Sequence, residues 1–401
     1  MEDTTITKFG VELEICVRVG PECIKYEGTK KLSNIDHRER FDMYFKYILV
    51  PNARANPDLI RRFPLICYNF VQMQPYIYDL RDPFEADGQT VRKHDPNPEE
   101  ADLVYSYALP IFTDDPTVVC GDADAWNSSY TTRIYNNTLR RHQQLGDSIG
   151  FEMISPVLEI RGEATPAKIT ESLRPLLFLF GMNRTNCFMS NFTSGFHVNV
   201  SIERDGSVLP ITKTPLIHHI MKEYIDYETE NYALVRSKRP LENPTYTSHW
   251  AKPMQRRIKP ENKSYANIFT SNFLKIKEGG LKIKDGEILE FRLFQSESDI
   301  ELLEKYTRDA IRIVHKGVAS SDRGIAINPN EYHETIRGLL SREELRMHGP
   351  ERAAAKSGGR LRQRLQAKTE RKRVRKHKRK HTKRNGSRDI RIRNATCRRA
   401  K

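Results

Sequence analysis

The sequence predicts an α+β body in which a twisted antiparallel sheet packs against helices, followed by a disordered basic tail. Three observations carry this. Four segments alternate apolar and polar side chains with period two, as half-buried strands do. Three longer stretches place apolar residues at helical spacing behind capping signals. The strands keep one polar face, which fits an antiparallel sheet covered on one side; parallel doubly wound strands are apolar on both faces.

Each element follows in chain order. In Phe9-Gly10-Val11-Glu12-Leu13-Glu14-Ile15-Cys16-Val17 the odd positions are apolar, and Glu12 and Glu14 share the other face, roughly 7 Å apart at about 3.3 Å of rise per residue. Phe151-Glu152-Met153-Ile154 sets another Glu between apolar neighbours. Residues 166 to about 181 carry Ile169, Leu173, Leu176, Leu177 and Phe180 at helical spacing and end at Gly181, as a C-cap would. In Phe196-His197-Val198-Asn199-Val200-Ser201-Ile202, His197, Asn199 and Ser201 point one way and the apolar residues the other. Thr214-Pro215 opens a helix to about Arg236, with a capping hydroxyl followed by Pro at the first helical position. Ile288-Leu289-Glu290-Phe291-Arg292-Leu293-Phe294 puts Glu290 and Arg292 on one face, and Ser298-Asp299-Ile300-Glu301 is a capping box opening a helix to about Lys316. Turn residues mark loops over 85–102 and 240–264.

The 401 residues suffice for a large core without staples. Six cysteines occur with no C-x-x-C pair, which argues against a structural zinc site or a disulfide scaffold and for a reducing intracellular setting. The polar, acidic start lacks a secretory signal, the N-x-S/T triplets are then chance occurrences, and no apolar run approaches the roughly 18 residues of a membrane span.

Charge is unevenly spread. Residues 352–401 hold 22 Lys and Arg against two acids, Glu370 and Asp389, a net of +20; the whole-chain charge of +15 leaves −5 for residues 1–351. The run 371–381 has no apolar periodicity and cannot build a core. It reads as a solvated tail, or as one that binds phosphate backbones or directs the chain to a nucleus, nucleic-acid-rich compartment or virion. No aromatic interleaves the basic residues, so base stacking is not expected. Deleting 352–401 should therefore remove most affinity for DNA or RNA, and full-length binding should be indifferent to sequence and fall steeply with salt. A truncated body that binds duplex as tightly as the whole chain in a salt titration would exclude the tail as the binding element.

For any one strand, a solvated face explains the carboxylates more simply. Together they differ from ordinary solvated faces, which mix in Thr, Lys and Gln, because here the polar side is Glu, His, Asn and Arg. Hard divalent cations take oxygen ligands, and Mn²⁺ tolerates an added imidazole, so four carboxylates and one His suit two such ions. Neither G-x-x-x-x-G-K-[ST] nor G-x-G-x-x-G is present, so any ATP would be held through metals and basic side chains.

The order Gly10-Val11-Glu12-Leu13-Glu14, then 147–158 around Glu152, then Ser194-Gly195-Phe196-His197-Val198-Asn199-Val200, then Leu289-Glu290-Phe291-Arg292, resembles the amidoligase family. Weaker matches fall at Tyr227-Glu228, 234–239 and 265–268, and the resemblance spans residues 6 to 318. It implies the sheet funnel of glutamine synthetase and glutamate–cysteine ligase, with 1–351 as the catalytic domain and 352–401 as the tail. The implied activity is ATP- and Mg²⁺- or Mn²⁺-dependent carboxylate–amine ligation on amino-acid or peptide substrates through an acyl phosphate. Carried over, Glu12, Glu14, Glu152 and Glu290 are metal ligands and His197 is a metal or phosphate contact. Glu152, His197 and Arg292 serve catalysis, Arg292 by stabilising the phosphoryl group; Arg236, Arg239 and Asn199 bind nucleotide or substrate. The family's third motif usually has a second His where Asn199 stands; Asn can coordinate through its carbonyl oxygen or hydrogen-bond a substrate, but it acts as neither a cation nor a proton carrier near neutral pH. Lys238 also interrupts what is commonly a pair of arginines. A catalytically silent relative, acting through the tail as a nucleic-acid-binding or packaged protein, is the competing expectation, and metal-dependent phosphohydrolysis a third.

Overall fold

The computed structural model describes residues 5–26, 28, 35–69, 75–113, 148–189, 194–213, 215–235, 281–284 and 287–327. The tail and the 240–264 loop lie outside these residues.

Among the described residues, eleven strands form one sheet. They are β1 (Ile6–Arg18), β2 (Leu65–Asn69), β3 (Tyr76–Asp79), β4 (Ile111–Thr113), β5 (Ser148–Ile154), β6 (Leu158–Arg161), β7 (Phe188–Met189), β8 (Gly195–Arg204), β9 (Ser207–Val208), β10 (Leu281–Lys284) and β11 (Ile288–Gln295). Their order is β10-β11-β8-β1-β5-β4-β2-β3, with β6 and β7 also on β1 and β9 on β8. The α+β class holds. One correction is needed: β2 and β4 pair in parallel, so the sheet is mixed. A parallel pair needs a crossover, which here includes β3 and the helix α4 (Pro98–Tyr105), which begins within the stretch expected as a loop over 85–102. Asn97 caps it by accepting from Glu100 N at 2.9 Å, with Pro98 in its first turn.

The helices are α1 (His37–Tyr44), α2 (Val50–Ala55) after a π-helical turn at Phe45–Leu49, α3 (Pro57–Arg62), α4 (Pro98–Tyr105), α5 (Pro166–Leu179), α6 (Leu216–Val235) and α7 (Ile300–Asp322). The three helices expected from sequence are α5, α6 and α7. Asp299 caps α7 by accepting from Glu301 N at 2.9 Å, and the helix runs past Lys316 to a stop at Gly324, whose φ of 63° lies in the left-handed region.

Phe9, Val11, Leu13 and Ile15 of β1, with Val198 and Val200 of β8, join Phe41, Leu173, Ile220, Tyr224 and Val314 from the helices in one buried cluster. The helices therefore cover the apolar face and leave the opposite face to the polar residues. A bidentate pair ties α5 to α7, Arg174 Nε and Nη2 donating to Glu304 at 2.6 and 2.7 Å. Where α6 meets α7 the backbones approach so closely that a Cβ on Gly317 would lie 2.7 Å from Ile220 Cα; only Gly fits.

Cys23 and Cys187 are joined by a disulfide across 164 residues of sequence, and Cys16 is also disulfide-bonded. This overturns the expectation that the scattered cysteines stay unpaired, and with it the argument from cysteines for a reducing setting. No described helix is long and apolar enough to cross a membrane.

Candidate metal centre

The polar face is assembled by register. Glu12 stands directly opposite His197 across β1 and β8, Glu14 opposite Glu152 across β1 and β5, and Glu290 opposite Asn199 across β11 and β8. Directly opposed residues share a face with Cβ atoms about 5 Å apart, so strands far apart in sequence place these side chains as neighbours. A bulge between Phe291 and Phe294 bends β11 beside Arg292.

One donor atom from each of Glu12, Glu152 and His197 lies within 4.8 Å of the others. The two oxygens of Glu12 have separate partners. Oε2 is 3.2 Å from His197 Nδ1, while Oε1 accepts from Asn199 Nδ2 at 2.8 Å and from Lys284 Nζ. Burial alone would raise the Glu12 carboxyl, but the His197 hydrogen bond and the Lys284 ammonium hold it well below the usual carboxylate range. Burial opposes the charge on Lys284, and the Glu12 and Glu290 carboxylates outweigh it, raising Lys284 above its ordinary value.

Glu290, with only 3% of its side chain exposed, sits 3.7 Å from His197 Nδ1, 3.2 Å from Lys282 Nζ, 3.3 Å from Lys284 Nζ and 4.0 Å from Arg292 Nε. Glu14 is buried, and its Oε2 accepts from Gly195 N at 2.6 Å. The structure thus brings Glu12, Glu14, Glu152, His197, Asn199, Glu290 and Arg292 to one face and divides them. Glu12, Glu152 and His197 converge, Glu290 lies among cations, and Glu14 braces the start of β8. Arg236 and Arg239 lie outside the described residues.

Lys282 and Lys284 were missed from sequence. Their signal was present, since Leu281-Lys282-Ile283-Lys284 alternates with period two, but four residues of alternation are too few to read as a strand. A cleft of about 730 Å³ opens over the face, lined by Glu12, Glu152, Asn199, Lys282 and Lys284, with Tyr107 also lining it. Tyr107 holds a positive φ of 53°, a conformation costly for a non-Gly residue and frequent beside functional sites.

Three converging donors, two carboxylates and an imidazole, suit one Mg²⁺ or Mn²⁺. The Asn199 carbonyl oxygen fits the same reading: it is buried and accepts no hydrogen bond among the described residues. A Cβ on Gly195 would meet His197 Nε2 at 2.8 Å and Glu14 Oε2 at 3.3 Å. Gly195→Ala should therefore leave the fold intact while turning the imidazole, weakening Mn²⁺ binding by about 10- to 100-fold. Calorimetric titration with Mn²⁺ checks this, and unchanged affinity would remove His197 from the ligand set.

No family model and no curated protein matches the chain.

Proposed function

We propose that the protein is an ATP-dependent carboxylate–amine ligase and that the polar sheet face lines a ligase-type funnel. The observation that carries this reading is the convergence of Glu12, Glu152 and His197 from three adjacent strands, at a cleft whose wall includes Glu12, Glu152, Lys282 and Lys284, with Arg292 beside Glu290. Glu12, Glu152 and His197 would hold the divalent ion. Bound with nucleotide, such an ion neutralises phosphate charge and polarises the transferred phosphoryl group.

The chain's own side chains supply the rest. Lys282 and Lys284 place fixed positive charge at the cleft wall, suited to a polyphosphate. Arg292 offers a planar fork of N–H donors to two oxygens of one phosphoryl group. The amine attacks the activated carboxyl carbon, whose bond to phosphate breaks as the amide forms, and the departing phosphate takes up the amine proton, while the Asn199 side chain stays bonded to Glu12 and fixes that carboxylate. An amino-acid or peptide pair supplies carboxylate and amine. The direct test incubates the full chain with ATP, Mg²⁺ and pooled amino acids or short peptides; the reading expects ADP in step with a new amide mass, and ADP release without amide would point to phosphohydrolysis instead.

Arg292→Lys should lower kcat by about 10²-fold while changing nucleotide affinity little, because Lys keeps the charge and loses the fork. Steady-state kinetics beside direct nucleotide binding separate the two. Equal losses would make Arg292 a structural partner of Glu290, 4.0 Å away.

A further inference from the structure

By ligand count the four carboxylates and one imidazole of this face suit two divalent ions, yet the space between Glu12 and Glu290 is taken. Lys284 Nζ bonds Glu12 Oε1 and lies 3.3 Å from Glu290 Oε1. Lys282, directly opposite Glu290 in register, reaches its other oxygen at 3.2 Å. Both lysines come from β10, so the sheet itself delivers them to the carboxylates. Their side chains are 23% and 30% exposed, held against the face and not extended into solvent.

We propose that Lys284, supported by Lys282, is a built-in cation occupying the second metal position, so that this site takes one divalent ion and not two. This deepens the ligase reading and rests on it. Charge balance agrees. Glu12, Glu14, Glu152 and Glu290 carry four negative charges, and Lys282, Lys284 and Arg292 supply three positive ones beside them, so a single divalent ion already outweighs the remainder. Without the two lysines, one ion would leave the face negative and a second would be favoured. A second ion between Glu12 and Glu290 would also have to displace an ammonium already bonded to both carboxylates, and it would meet repulsion from Lys282 and Arg292 at close range.

The split of Glu12 fits this arrangement as well. Oε1 faces Lys284 and Asn199, while Oε2 faces His197. One carboxylate can therefore serve the ammonium with one oxygen and the ion with the other. The lysine position is a fixed charge that needs no metal loading, so its contribution does not vary with metal concentration.

The test counts Mn²⁺ bound per full-length chain, from the loss of the free-ion signal in electron paramagnetic resonance, for the wild type and for Lys284→Met. The expected result is one ion in the wild type and two in the variant, with Lys284→Arg remaining at one. Two ions in the wild type would overturn the proposal whether or not the variant folds, as would one ion in both proteins. No ion in either would instead remove the metal chemistry of the ligase reading, and the lysine assignment would fall with it.

Discussion

Glu12→Gln combined with Glu152→Gln should abolish ligation, with a loss of at least ~10³-fold in turnover, and should erase the rise in Tm that Mg²⁺ and ATP give the wild type. Gln keeps the size and much of the hydrogen bonding of Glu, so the sheet should survive, but it removes both anionic donors of the three-residue cluster. In the wild type a ligand at a hundred times its Kd stabilises the native state by about 2.7 kcal/mol, a rise on the order of 5 °C for a body of this size. The double variant without ligand should melt below the wild type, because the folded state favours the Glu12 carboxylate through His197 and Lys284 and Gln forfeits that contribution; the Lys284 ammonium keeps Glu290 at 3.3 Å, which limits the loss. Thermal scans with and without Mg²⁺–ATP check this; an undiminished shift in the variant would place the ion elsewhere.

Phe41→Ala should cost about 3–5 kcal/mol of stability, the largest loss expected from any single truncation away from the polar face. Phe41 is fully buried on α1. Its ring stacks on Tyr68 of β2 at 4.5 Å and meets Tyr78 of β3 edge-on at 4.9 Å, Phe112 of β4 at 5.1 Å and Phe151 of β5 at 5.9 Å. One side chain thus joins a helix to four strands, and the void left by Ala is walled by rigid rings that cannot collapse into it. Because β5 also carries Glu152, the variant should lose Mn²⁺ affinity as well. Denaturant unfolding gives the first number, and a loss below about 1 kcal/mol would contradict the packing described here.

How much of this was legible follows from the physics of each part. The period-two rule assigned Glu12, Glu14, Glu152, His197, Asn199, Glu290 and Arg292 to polar strand faces, because alternation is local. That Glu12 would face His197, or Glu14 face Glu152, was not readable from alternation, since register between strands more than a hundred residues apart depends on the whole sheet. β2 escaped notice because Ile66, Cys67 and Tyr68 are all buried, so no alternation exists. The α1–α2 stretch was obscured by its π-helical turn and by Pro51. α4 was hidden by Pro98 and neighbouring turn residues, although Asn97, Pro98 and Glu100 form the start signal of a helix. The Cys23–Cys187 bridge had no spacing pattern because its partners meet only through the fold.

The most direct measurement is anomalous diffraction from crystals of the protein soaked in Mn²⁺. The account predicts one strong peak within about 2.5 Å of a donor atom from each of Glu12, Glu152 and His197, and none between Glu12 and Glu290. A peak at another place on the chain, or no peak on this face at saturating Mn²⁺, would contradict it.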